Sequence, residues 1–138
     1  MRISSDDFVA VPYAAMHDVH LEELTIINAV YEQIEAIQNA SGDKNLLSAS
    51  LDALLLHTRE HFANEERLMK EYSFPPYAMH KAAHDLFLAE MEQMVGDWKS
   101  TLQIEPVTRF MHINLPAWLK QHISTMDYVT AGFLAAHS

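Results

Sequence analysis

Residues 61–87 read HFANEERLMKEYSFPPYAMHKAAHDLF. His61 and Glu65 stand four apart, and so do His80 and His84, with a Pro-Pro break between the pairs. On an α-helix each residue turns about 100°, so positions four apart share one face. Each pair therefore aims two polar, titratable groups in one direction. That direction is the core. His61 and Glu65 continue the stripe Leu47, Leu51, Leu54, Thr58 and lead into Leu68, while His80 and His84 lead into Phe87, Met91, Met94 and Trp98. Proline is tolerated in the first turn of a helix but not in its interior. One helix therefore ends near Tyr72, and the next starts near Pro76.

Two more stripes lie outward from this pair. His20, Leu24, Ile27, Tyr31 and Ile34 step by four and three, and the SGD break at 41–43 closes that helix. Leu115, Leu119, His122, Met126, Val129 and Phe133 form the last, with Pro116 expected to kink it or split off a short leading helix. No strand-like alternation of useful length appears. The expected fold is an all-α, antiparallel up-down-up-down four-helix bundle in one domain, residues 1–138, with helices at about 16–40, 44–72, 76–99 and 106–136. Residues 100–105 read as a loop. Residues 1–15, with Phe8, Val9, Val11 and Tyr13, read as an arm laid over the bundle.

Composition narrows the chemistry. The chain has 138 residues, a net charge of −10, nine His and no Cys. The negative charge argues against nucleic acid or an anionic membrane as partner. The lack of Cys excludes disulfides, thiolate catalysis and Cys-ligated metal within the chain. The N-terminal stretch has no apolar segment behind a basic start and no run approaches a membrane span, so no membrane insertion and a cytoplasmic location are expected.

Each of the four stripes contains an inward His. Burying a polar group without a partner costs about 2–7 kcal/mol on transfer to an apolar medium. A shared metal ion is the simplest compensation. Imidazole and carboxylate donors suit iron, zinc, copper or manganese, and five inward His exceed what one tetrahedral zinc needs. Two ions bridged by carboxylates would use them all. The Glu-x-x-His motif of ferritin-like di-iron bundles is absent.

The segments HFANEERLM, SFPPYAMHKAAHDLF and WLKQHISTMD (118–127), with a first His inside MHDVHLEEL (16–24), resemble the hemerythrin family, specifically its stand-alone bacterial members. The resemblance covers the chain from about residue 10. It implies that His80, His84 and His122 hold one iron, that His20 and His61 hold a second, and that Glu65 and Asp127 bridge the two with an oxo or hydroxo group. It implies dioxygen binding at an open position on the five-coordinate second iron, for storage, delivery or sensing, and so an oxygen-binding protein rather than an enzyme. Phe62 and Trp118 match bulky residues that line the family's oxygen pocket. Asp127 comes from the resemblance alone, because five residues after His122 is about 140° around an ideal helix.

Two positions depart from the family pattern. His17 stands where the family has Asp, and competes with His20 for the first ligand. Glu23, three residues after His20, stands where the family places Leu. If it faces solvent, Leu24 and Ile27 line the pocket, and the apolar stripe favours that reading. If it faces inward, it fills the open position or delivers protons, which favours an enzyme acting on peroxide, dioxygen or nitric oxide. His57, one turn before His61, is either a hydrogen-bonding support for a ligand or a boundary residue. His112 and His137 read as surface residues, and Met69, Met79, Met91, Met94 and Met126 as core filler.

Overall fold

The computed structural model describes residues 2–138. Among them there are helices and turns but no strand. A short 3-10 turn, Ser5–Asp7, precedes α1 (Ala14–Gln38), α2 (Lys44–Glu71) and α3 (Tyr77–Thr101). The last rod contains α4 (Ile104–Arg109), α5 (Leu115–His122) and α6 (Tyr128–His137), joined through two π-helical segments, Phe110–Asn114 and Ile123–Asp127. Four rods with short connections make the expected four-helix bundle, and α2 packs against α1, α3 and α6. No helix among the described residues is long and apolar enough to cross a membrane.

The connections follow from local chemistry. Asp43 caps α2 by accepting from the Asn45 N–H at 2.7 Å. Helix α1 ends in a Schellman turn: Ala40 is left-handed (φ 58°) and the Ser41 N–H bonds the Ala36 carbonyl at 2.9 Å. Gly42 follows because a Cβ there would lie 2.5 Å from the Ile37 backbone nitrogen. Helix α2 ends the same way, with Ser73 left-handed and the Phe74 N–H bonded to the Met69 carbonyl at 2.8 Å. Phe74 is buried and packs its ring against Phe133, 5.1 Å between centroids.

The arm is pinned by Asn28. Its Oδ1 accepts from the Ile3 N–H at 2.9 Å and its Nδ2 donates to the Ile3 carbonyl at 2.8 Å. Ile3 and Val11 are the arm's buried anchors, whereas Val9 is exposed.

Four expectations are corrected. Residues 100–105 are not a loop: α3 continues to Thr101, the chain turns at left-handed Leu102, and helix resumes at Ile104. Pro116 does not split the last rod. It has no N–H to donate, and the preceding π segment, in which the Leu115 N–H reaches the Phe110 carbonyl, absorbs the misfit without breaking the helix. The last stripe also shifts by one residue after His122. The buried positions are Asp127, Thr130, Ala131 and Leu134, while Val129 is exposed and Met126 only half-buried. A π turn inserts one extra residue, so every later side chain rotates onward. Of the methionines taken as core, Met69, Met91 and Met94 are buried, but Met79 is 66% exposed.

Candidate metal centre

The bundle's interior divides in two. Ile27, Tyr31, Ile34, Leu47, Leu51, Leu54, Met91, Trp98 and Met111 make an apolar half. In the other half the stripes turn polar together, and His20, His61, Glu65, His80, His84, His122 and Asp127 are all buried. The residues stack by helical spacing on α1, α2 and α3. Asp127 arrives by the second π turn, whose Tyr128 N–H bonds the Ile123 carbonyl. Five residues then span one turn, so Asp127 Oδ1 lies 3.0 Å from His122 Nε2.

Two groups of donors form. Glu65, His80, His84, His122 and Asp127 converge in one, and His20, His61 and Glu65 in the other. The carboxylates face both. Glu65 turns Oε2 to His61 Nε2 (2.6 Å) and to His20 Nε2 (3.7 Å), and Oε1 to His84 Nε2 (3.3 Å) and His80 Nε2 (3.6 Å). Asp127 turns Oδ2 to His20 Nε2 and Oδ1 to His80 Nε2, each at 3.0 Å.

These groups fit a cation better than one another. His20 Nε2, His84 Nε2, Glu65 Oε1 and Asp127 Oδ1 are buried and make no hydrogen bond among the described residues, despite their close neighbours. The Nε2 atoms of His80 and His122 face each other at 3.1 Å. Three of the outer nitrogens are engaged elsewhere. His84 Nδ1–H donates to Glu66 Oε2 at 3.0 Å, His80 Nδ1 meets the Thr130 hydroxyl at 2.8 Å, and His61 Nδ1–H donates to Glu23. Engaging Nδ1 leaves Nε2 as the donor turned inward, the usual support of a metal-bound imidazole.

Without a metal the cluster stores its charge as protons. Burial alone would lower the His20 pKa, but the carboxylates of Asp127 and Glu65 beside its Nε2 outweigh it and push the value up to about 9. His61 is likewise raised well above its ordinary value, with burial opposed by the charges of Glu65 and Glu23. Burial would raise Glu65, yet the His61 charge, the hydrogen bond from His61 and the nearby rings of His20 and His84 hold it well below the carboxylate range. Asp127 is also held low: burial and the Glu65 charge oppose this, and the close approach of His122, His20 and His80 prevails.

Aromatic rings wall one side. Phe62 stacks on His84 at 3.9 Å between centroids, and Trp118 stacks on His122 at 4.2 Å and on Phe87 at 4.0 Å. Beside the other group lies a cavity of about 10 Å³ lined by His20, Glu23, Leu24, Ile27, His61, Leu119 and Ile123. That is about the space of one water-sized sphere. Leu24 and Glu23 therefore line this cavity, while Phe62 and Trp118 stand against the three-histidine group instead.

The expectation of a solvent-facing Glu23 is overturned, because its side chain is only 5% exposed. His57 lies beyond it, with Nδ1 3.5 Å from Glu23 and Nε2 3.6 Å from exposed Glu22. His17 joins neither donor group. His112 is half-buried against Tyr31 rather than on the surface, and His137 is exposed.

Similarity to known proteins agrees with this geometry. Residues 11–134 match the family model described as the hemerythrin HHE cation binding domain. The chain belongs to the hemerythrin family. It is 34% identical over 116 residues to a bacteriohemerythrin of Aquifex aeolicus (strain VF5), covering 84% of this chain and 85% of that one. It is 34% identical over 125 residues to a bacteriohemerythrin of Ralstonia nicotianae, covering 88% and 81%. A solved structure of a leucine-to-phenylalanine mutant superposes with a TM-score of 0.79 at 22% identity, over 98% of this chain and 97% of that one, which supports the fold. Within this hemerythrin-family bundle, sequence reading missed Glu66, Thr130, Leu119 and Ile123. Leu119 lay on the stripe and could have been named. Thr130 could not, because the π turn hides its register.

Proposed function

We propose that this chain is a non-heme di-iron protein that binds dioxygen reversibly at the ion held by His20 and His61. One observation carries the reading: Glu65 and Asp127 each direct one oxygen to each set of histidines. A carboxylate placed so serves two adjacent cations and is poorly placed for one. His80, His84 and His122 would hold one ion, and His20 and His61 the other. The second set has one nitrogen fewer, which would leave its ion a position for a ligand, and the cavity beside it is walled by Leu24, Ile27, Leu119 and Ile123, with Glu23 at its edge. The ions supply the electrons and the binding position for dioxygen when present. The residues hold the donors rigid, exclude water and admit only a small ligand. An apolar wall disfavours the escape of a reduced, charged oxygen species.

The test is gas uptake by the reduced, iron-loaded chain. Dioxygen taken up at one molecule per chain and released on deoxygenation supports the reading. Irreversible oxidation without stoichiometric uptake contradicts it. Buried Glu23 on the cavity wall favours one second reading, a di-iron enzyme acting on peroxide, dioxygen or nitric oxide. Steady-state turnover of any of these would select it over reversible binding.

A further inference from the structure

Among the described residues Glu23 is the one buried carboxylate that belongs to neither donor group. It leaves α1 one turn after His20, at three residues' distance, so both side chains enter from the same face. Its Oε2 accepts a short hydrogen bond from the Nδ1–H of His61, on the edge of the ring remote from Glu65. His61 is thereby held at both nitrogens, by Glu23 outside and by Glu65 inside at 2.6 Å. His57, one turn before His61 on α2, closes over Glu23 from the solvent side at 3.5 Å. A carboxylate committed in this way to Nδ1 does not occupy the open position.

We propose that Glu23 is a positioning residue for the metal centre: it fixes His61 with Nε2 toward the ion and, as an anionic partner, makes that ring a stronger donor. The proposal rests on the di-metal reading above. The histidines are supported unequally. His20 Nδ1 is buried and has no hydrogen-bond partner among the described residues, and His80 Nδ1 meets only a neutral hydroxyl. His84 has a carboxylate, but Glu66 is partly exposed and Lys81 lies 3.9 Å from it. The fully buried anionic partner is thus given to a ligand of the ion with the open position. A stronger donor favours the more highly charged ion. Glu23 therefore biases this position toward the oxidised state and shortens the period for which the reduced form persists in air.

Two substitutions separate orientation from charge. Glu23→Gln keeps an acceptor for the Nδ1 proton and removes the charge. Glu23→Leu removes both and is apolar enough for its buried site. Ferrous iron is titrated anaerobically into the metal-free chain and its variants, and the midpoint potential of each loaded chain is then measured. Glu23→Leu is expected to weaken one of the two ions by about 10- to 100-fold, the effect typical of losing such a partner, and to leave the other unchanged. Glu23→Gln is expected to restore most of that affinity. Both variants are expected to show a higher potential than the parent. Two ions bound by Glu23→Leu with parental affinity, or a parental potential in Glu23→Gln, overturn the proposal. Uptake of a single ion by the parent chain itself overturns the di-metal reading beneath it.

Discussion

Removing the metal should make this bundle sensitive to alkali, in an amount set by the buried histidines. His20 is 7% exposed and has a folded pKa of about 9 against an ordinary 6.5. A group whose folded value is raised contributes stability that is fully present below its unfolded value and is lost as pH rises through the folded one. The window is therefore pH 6.5 to 9. The shift, 9 − 6.5 = 2.5 units, corresponds to a loss on the order of 3 kcal/mol at about 1.4 kcal/mol per unit. His61 is raised in the same direction and adds to the loss. Glu65 and Asp127 do not act in this window. Their pKa values are lowered, so their contributions are present above the ordinary values of 4.5 and 3.8 and are lost only as pH falls further. The assay is urea unfolding of the metal-free chain at pH 6.5 and pH 9.5, followed by helix signal. The midpoint should fall at the higher pH, and the fall should shrink in His20→Gln. Metal-loaded chain should show little of it, because the ion then occupies the place of the protons. Equal or greater stability of the metal-free chain at pH 9.5 would refute the charge arrangement described here.

Phe62→Ala removes the ring stacked on His84, and the cavity it leaves should cost about 3–5 kcal/mol in chemical unfolding of the metal-free chain. Thr130→Val keeps the shape but strands His80 Nδ1. It should cost about 1–3 kcal/mol in the same assay and weaken metal binding at the three-histidine group.

The bundle was legible because its four stripes keep helical spacing across the change from apolar to polar residues. His61, Glu65, His80 and His84 could be placed on one face from the string alone, since α2 and α3 are regular there. Asp127 could not. Its pairing with His122 needs a π turn, and nothing in ISTMD distinguishes that turn from an α turn before tertiary packing is known. The same insertion hid Thr130 and made exposed Val129 look buried. Glu23 was misjudged for another reason. It neighbours Leu24 on a stripe already filled with apolar residues, and only the neighbouring helix, through His57 and His61, reveals that a charge is welcome there. Pro116 resembled a break because a helix interior rejects proline, yet a preceding π segment accommodates it.

Crystals of the iron-reconstituted chain, measured on either side of the iron absorption edge, address the centre directly. Two adjacent anomalous peaks should appear, one within reach of His80, His84 and His122, the other of His20 and His61, with Glu65 and Asp127 touching both. A single peak, or Asp127 turned away from it, would contradict a centre shared between two ions.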